Sequence, residues 1–283
     1  MKFNYPKICS ELLEELPKRD KEVIWRRFGL GGDEKETLQE VGDNYGLTRE
    51  RVRQIQDGAI LKIKPKIKVY ENVEEYFVDH IRASGNLKRE DHLLSDLGGD
   101  KFQNHVSFLL TLKDPFSRFS ETDDYHSFWT VEPKSFNFVQ KTINSFHNLL
   151  QKKKQPLNLD DLSPHQIFGG NLENKPINNL SFQALKSFLE ISKKIQQNNK
   201  GHFGLREWPE INPKGIKDKA YLVFKGEQKP LHFSKVAKLI GNSCNTQTCH
   251  NELIKDGRFV LVGRGTYALK EWGYFPGVVK DVI

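Results

Sequence analysis

The sequence lacks what would place it in a membrane, an oxidising compartment or a common hydrolase family. Its 283 residues include three cysteines, Cys9, Cys244 and Cys249. That is no disulfide framework, so a reducing cytosol is the expected setting. No apolar run approaches the roughly 18 residues that a spanning helix needs. Residues 1–10 hold no apolar signal-peptide core. The expectation is a cytoplasmic protein with no membrane partner. There is no HExxH, nucleophile elbow or nuclease carboxylate set, so no enzyme is expected. Gly29, Gly31 and Gly32 are followed by no Gly-Lys-Ser/Thr and are expected to form a turn, not a phosphate loop. Cys244, Cys249 and His250 have C-x4-C-H spacing without a second pair, which argues against zinc. No cofactor and no metal are expected.

What is present describes a folded, basic protein. Apolar residues make up 37% and charged residues 29%, with 19 Phe, 8 Tyr and 4 Trp, too many aromatics for a disordered chain. The net charge is +7, with a pI near 9.1, which hints at a polyanion. The hint sharpens with position. Arg49, Arg51, Arg53, Lys62, Lys64, Lys66 and Lys68 stand against only Glu50 and Asp57, so residues 49–68 carry +5 of the +7.

That segment belongs to a pattern of short helices. Pro17 suits a first helical turn, Val23, Ile24, Trp25 and Phe28 supply an apolar face, and Gly29 falls where a helix ends left-handed. Thr37-Leu38-Gln39-Glu40 is a capping box, and Gly46 ends the helix that it starts. Thr48 caps the next helix, in which Val52, Ile55 and Ala59 recur on one side until Pro65. Two short helices about a tight turn, the second basic, make a helix-turn-helix. Arg49 and Arg53 are spaced i, i+4, as are Glu50 and Gln54, so the four share the outer face near the helix N-terminus. These side chains suit base edges: Arg pairs with guanine, Gln with adenine, and Glu accepts from cytosine. A surface for phosphate alone has little use for Glu50.

The stretch LPKRDKEVIWRRFGLGGDEKETLQEVGDNYGLTRERVRQIQ, Leu16 to Gln56, resembles region 4 of the sigma-70 family of bacterial transcription initiation factors. The densest part of the match is Thr48-Arg49-Glu50-Arg51-Val52-Arg53-Gln54-Ile55. The resemblance implies recognition of the promoter −35 element and contact with the β flap of RNA polymerase core. It implies base reading by Arg49, Glu50, Arg53 and Gln54, and phosphate contact by Thr37 and Arg51. Two departures stand out. Asp57 and Gly58 fall where the family continues a basic helix, and helical Gly costs roughly 1 kcal/mol relative to Ala. Nothing resembles region 2, which melts DNA, so a complete initiation factor is not expected.

The remaining chain repeats itself. Phe203-Gly204-Leu205-Arg206-Glu207-Trp208 aligns with Tyr267-Ala268-Leu269-Lys270-Glu271-Trp272, and at the same offset Gly201 falls on Gly265, Ile195 on Phe259, Leu189 on Leu253 and Leu185 on Cys249. Pro156-Leu157-Asn158-Leu159 aligns with Pro230-Leu231-His232-Phe233 at another offset, which puts extra residues in a loop at 163–179. A looser copy covers 69–133. Each copy reads helix, short strand, helix, helix, two-stranded wing. The tryptophans at the wing ends, Trp129, Trp208 and Trp272, are expected to pack in cores. The Lys152-Lys153-Lys154 run is expected to end a helix.

HFSKVAKLI with CHNELIKDGRFVLVGRGTYALKEW resembles the HARE-HTH winged helices of chromatin proteins, restriction systems and the RNA polymerase delta subunit. The resemblance implies a module that binds DNA or polymerase, with Gln247, Asn251 and Lys255 on its third helix and Arg264 on its wing as the DNA candidates. The fold expected is mainly α with small β wings: a region 4-like helix-turn-helix at 1–66, then winged helices at 69–133, 134–212 (with the loop insertion) and 213–283. The function expected is a cytoplasmic, nucleoid-associated transcription regulator of bacterial type that binds double-stranded DNA. The first alternative is an RNA polymerase-associated accessory factor that does not read DNA. The second is an accessory or nuclease component of a restriction or defence system.

Overall fold

The computed structural model describes residues 2–32, 34–163, 166–167, 181–241 and 244–275. The chain divides into two compact units, Met1–Leu149 with Leu162–Lys193, and Leu150–Asp161 with Lys194–Ile283. The insertion predicted at 163–179, with its Asn-rich segment 171–179, lies outside the described residues except for Ser163, Gln166 and Ile167.

The first unit opens with four helices: α1 (Tyr5–Leu13), α2 (Lys18–Phe28), α3 (Leu38–Tyr45) and α4 (Arg49–Ile63). Helix α1 is an addition to the sequence reading. Its buried residues Tyr5, Ile8, Cys9, Leu12 and Leu13 recur at helical spacing. Pro17 stands at the N-cap of α2, and Gly29 ends that helix left-handed, at φ 63°. Thr37 and Glu40 form the expected capping box: Thr37 Oγ1 accepts from Glu40 N at 3.2 Å, and Thr37 N donates to Glu40 Oε2 at 2.6 Å. Thr48 Oγ1 accepts from Arg51 N at 3.2 Å and so caps α4.

Residues after α4 are not a free linker. Lys64–Tyr70 forms a 3-10 turn with Ile67 buried, leading directly into α5 (Glu71–Ala83). Strand β1 (Leu87–Arg89), α6 (Glu90–Gly98), α7 (Gln103–Thr111), β2 (Ser117–Phe119) and β3 (Phe128–Thr130) follow. The strands form an antiparallel sheet in the order β1-β3-β2. One hydrophobic cluster collects α1, Ile24, Ala59, Ile63, Ile67, Phe77, Phe108 and Trp129, so the helix-turn-helix and the first wing-bearing segment share a core. Phe28 meets Phe108 edge-on at 5.0 Å, and Asn104 Nδ2 donates to Gly29 O at 3.1 Å across the same junction. A smaller cluster of Val23, Val41, Val52 and Ile55 fills the helix-turn-helix itself.

Helices α8 (Phe136–Lys153) and α9 (Phe182–Glu190) come next, and the expected Lys run closes α8. In the second unit β4 (Ile195–Gln197) pairs with β5 (Phe203–Leu205). Helix α10 (Gly215–Glu227), β6 (Leu231–His232), α11 (Phe233–Ile240), α12 (Thr246–Lys255), β7 (Phe259–Gly263) and β8 (Thr266–Leu269) complete the chain, with sheet order β6-β8-β7. The pairs aligned by repetition occupy like positions. Leu185 and Cys249, Leu189 and Leu253, Ile195 and Phe259, and Leu205 and Leu269 are all buried. Leu157 bridges Phe203 as Leu231 pairs with Tyr267, which reproduces both alignment offsets. Cys249 is a core residue of the last helical cluster, and burial raises its thiol to about 12. Trp129 is 2% exposed, and Trp272 packs edge-on against Phe224.

Two substitutions test this packing. Gly85 has φ +79°, and a Cβ there would lie 2.5 Å from Ala184 Cβ. Gly85→Val is therefore expected to lower unfolding free energy by about 2–4 kcal/mol through overpacking and left-handed strain. Gly58 lies mid-helix in α4 with no atom near its would-be Cβ, and Gly58→Ala is expected to raise stability by about 0.5–1 kcal/mol. Denaturant unfolding reads both; equal effects would contradict the close packing of Gly85. Thr37→Ala, which removes the hydroxyl of the capping box, is expected to cost about 1 kcal/mol in the same assay.

Candidate nucleic-acid interface

The interface begins with the dry side of α4. Val52, Ile55, Ala59 and Ile63 are buried along one stripe, which leaves Arg49, Glu50, Arg53, Gln54 and Asp57 exposed opposite. The turn that sets α4 against α3 depends on Gly42, where a Cβ would lie 2.5 Å from Leu47 O and 3.5 Å from Val52. Gly42 is missing from the sequence reading because its requirement is a contact with the following turn, not a left-handed backbone. Gly46, by contrast, ends α3 at φ 62°.

The exposed side chains are tied to one another. Arg53 donates to Glu50 through Nε at 2.9 Å and NH2 at 2.7 Å, and to Asp57 through NH1 at 2.6 Å. Gln54 Nε2 reaches Glu50 Oε1 at 3.4 Å, and Arg51 NH1 donates to Gln54 Oε1 at 3.1 Å. The hydrogen bond from Arg53 holds the Glu50 carboxyl below its usual range, and Glu50 in turn raises Arg53. Glu50 therefore tempers the charge of the unliganded helix. Exposed pairs of this kind are weak, so they can be exchanged for base edges. Asp57, a departure from the family pattern, supplies the outer clamp on Arg53.

Part of the +5 segment is also neutralised by α2 and the turn before it. Lys62 pairs with Asp20 at 3.3 Å, and Lys66 pairs with Glu15. Among the described residues Arg49, Lys64 and Lys68 form no ion pair. Arg49 instead lines a cleft of about 500 Å³ with Arg27, Thr37, Leu38 and Gln39. The cleft brings together the end of α2 and the N-termini of α3 and α4. Two cations and two helix N-termini suit an anion. Thr37 is thus both a cap and a wall of this cleft, and Thr48 is a cap whose oxygen serves Arg51 N. Arg27 is absent from the sequence reading; the Arg26-Arg27 pair in the last turn of α2 is the signal that could have found it.

The candidates in the last winged segment lie in the second unit. Gln247, Asn251 and Lys255 fall at i, i+4, i+8 on α12 and are exposed. Gln247 Nε2 donates to Asn251 Oδ1 at 3.3 Å, and Asn245 Oδ1 caps the helix by accepting from Gln247 N at 2.8 Å. Arg264 is exposed in the β7–β8 turn. Beside this face Phe233 stacks on His250 at 4.3 Å and lies tilted against His232 at 4.4 Å. No helix of the described residues is long and apolar enough to cross a membrane.

Residues 12–64 match the family "Sigma-70, region 4". The chain is similar to RNA polymerase sigma factor sigB of Arabidopsis thaliana, at 43% identity over 69 residues, 24% of this chain and 12% of the relative. RNA polymerase sigma factor RpoD of Helicobacter pylori is 50% identical over 56 residues, 19% of this chain and 8% of that protein. RNA polymerase sigma factor RpoS of Coxiella burnetii is 52% identical over 52 residues, 18% of this chain and 15% of that protein. The chain thus spans less than a sixth of the length of these relatives. The likeness to sigma-70 region 4 is shown for residues 12–64, the segment that contains the whole helix-turn-helix and its exposed α4 face.

Proposed function

We infer that the protein is a sequence-specific regulator of transcription that binds double-stranded DNA through α4, without enzymatic activity and in the cytoplasm of a bacterial-type cell. One observation carries the reading. Within a segment similar to sigma factors, a Thr-capped helix on a dry base presents Arg49, Glu50, Arg53 and Gln54 together at its exposed N-terminal half. That end is the part of a recognition helix that enters the major groove. Arg51, Thr37 and the cleft beside Arg49 take phosphates, which fix register and give salt-dependent affinity. The winged segments at 69–133, 134–212 and 213–283 extend the footprint or hold a partner, with Gln247, Asn251, Lys255 and Arg264 as the contacts of the last one.

A second reading, attachment to RNA polymerase core in place of DNA reading, draws on Leu61 and Val69, which are 71% and 80% exposed around the basic tail. Apolar side chains of that kind suit a protein partner better than a phosphate backbone.

Selection of bound duplexes from a random pool separates the two. The first reading expects an enriched motif that shifts for Glu50→Ala; no motif, with co-purification of core polymerase in high salt, supports the second. On the selected site, Arg49→Ala and Gln54→Ala are each expected to cost about 1–3 kcal/mol and to relax one base position. Arg51→Ala is expected to weaken all sequences alike. Uniform losses for Arg49→Ala and Gln54→Ala in a competition assay would contradict base reading.

A further inference from the structure

A second cleft, of about 280 Å³, lies in the first unit where the helix-turn-helix meets the first wing-bearing segment. Arg27, Lys35 and Gln56 line it from the helix-turn-helix, and Glu90, Ser107 and Arg118 from the segment beyond. Three cations thus face one carboxylate. That carboxylate is already used: Arg118 binds both Glu90 oxygens at 2.6 Å, and Trp129 Nε1 donates to Oε1 at 3.0 Å.

The other two cations feel carboxylates only at a distance, Arg27 that of Glu40 and Lys35 that of Glu90. Among the described residues neither Arg27 nor Lys35 forms an ion pair. Lys35 Nζ donates to the neutral Ser107 Oγ at 3.2 Å, and Arg27 NH1 to the backbone carbonyl of Glu36 at 2.5 Å. Burial lowers the pKa of Lys35, and Arg118 and Arg27 lower it further against Glu90. Burial likewise lowers that of Arg27. Two further atoms at the site are buried without a partner, the donor Arg27 Nε and the acceptor Gln56 Oε1. Buried polar atoms normally find partners. An anion pairs with these cations, and one that carries a P–OH, as a free phosphate does and a DNA diester does not, also satisfies Gln56 Oε1.

We propose that this cleft is a phosphate-binding site shared by the helix-turn-helix and the first wing-bearing segment, with Lys35, Arg27 and Arg118 as its cationic ligands and Ser107 as a polar one. It is separate from the base-reading face and from the Arg49 cleft, with which it has only Arg27 in common. The phosphate belongs either to a free phosphate or monoester, or to a DNA backbone that runs past α4 onto the second segment. Either source makes the junction a ligand-dependent joint, because the ligand touches both sides of it.

Two measurements on the full chain test the site. Calorimetric titration with inorganic phosphate, at fixed ionic strength in chloride, reads the free-anion source. It expects saturable binding that Lys35→Gln weakens about tenfold or more and that Lys152→Gln, in the solvated run ending α8, leaves unchanged. Salt titration of duplex binding reads the DNA source, and expects Lys35→Gln to reduce the slope of log affinity on log salt by about one. Either result supports the site and identifies the source. Phosphate binding that Lys35→Gln leaves intact, or no phosphate binding together with an unchanged salt slope, overturns it. Should the chain bind no duplex, the regulator reading fails, and the phosphate titration alone still decides this site.

Discussion

Helix α4 is held by a single apolar stripe that enters two different cores. Val52 and Ile55 close the small core of the helix-turn-helix with Val23 and Val41. Ala59 and Ile63, one and two turns on, enter the larger cluster with α1, α5, α7 and Trp129. The helix is therefore anchored along its length on one side, and its opposite side has no packing to do. That division is what allows five polar residues, Arg49, Glu50, Arg53, Gln54 and Asp57, to stand together in solvent at one end. It also makes the first wing-bearing segment a continuation of the helix-turn-helix, since burial of Ala59 and Ile63 requires both.

The charge of this region is more restrained than its composition suggests. Arg53 is shared by Glu50 and Asp57, Lys62 by Asp20 and Lys66 by Glu15. The Arg53 pairs are exposed, weak in water and easily exchanged, whereas Asp20 is largely covered. The effect of these pairs is to orient long side chains and to leave cations outside any ion pair elsewhere, at Arg49 and, at the junction, at Arg27 and Lys35. An anion met at those positions displaces no competing carboxylate. On the proposed reading, base contact by Arg53 is a competition, because guanine must replace two carboxylates that already hold the guanidinium.

Much of this was legible in the residues. The Thr37–Glu40 capping box, the Thr48 cap and the left-handed Gly29 and Gly46 all rest on local rules, and the structure has them. The repeat was legible too, because a core position tolerates Leu185 or Cys249 but not a charge. Helix α1 was missed although its apolar spacing is regular. Gly42 was missed because a close approach to Leu47 leaves no local signature. The pairing of Lys62 with Asp20 and of Lys66 with Glu15 joins residues far apart in the chain, and spacing rules see only neighbours.

By itself, then, the sequence determined which residues share a face and which segments cap, turn and repeat, since those follow from helical and strand periods and from backbone preferences. It also pointed to the region 4 likeness of residues 12–64. Which cations are held in ion pairs and which are not emerges from the folded chain alone. Folding placed Lys35 beside Ser107 and Arg118 beside Glu90, and it left Arg27 Nε and Gln56 Oε1 buried without partners. The reason is physical: a charge's environment is set by every group within a few ångströms, and folding draws those groups from parts of the chain that no local pattern connects.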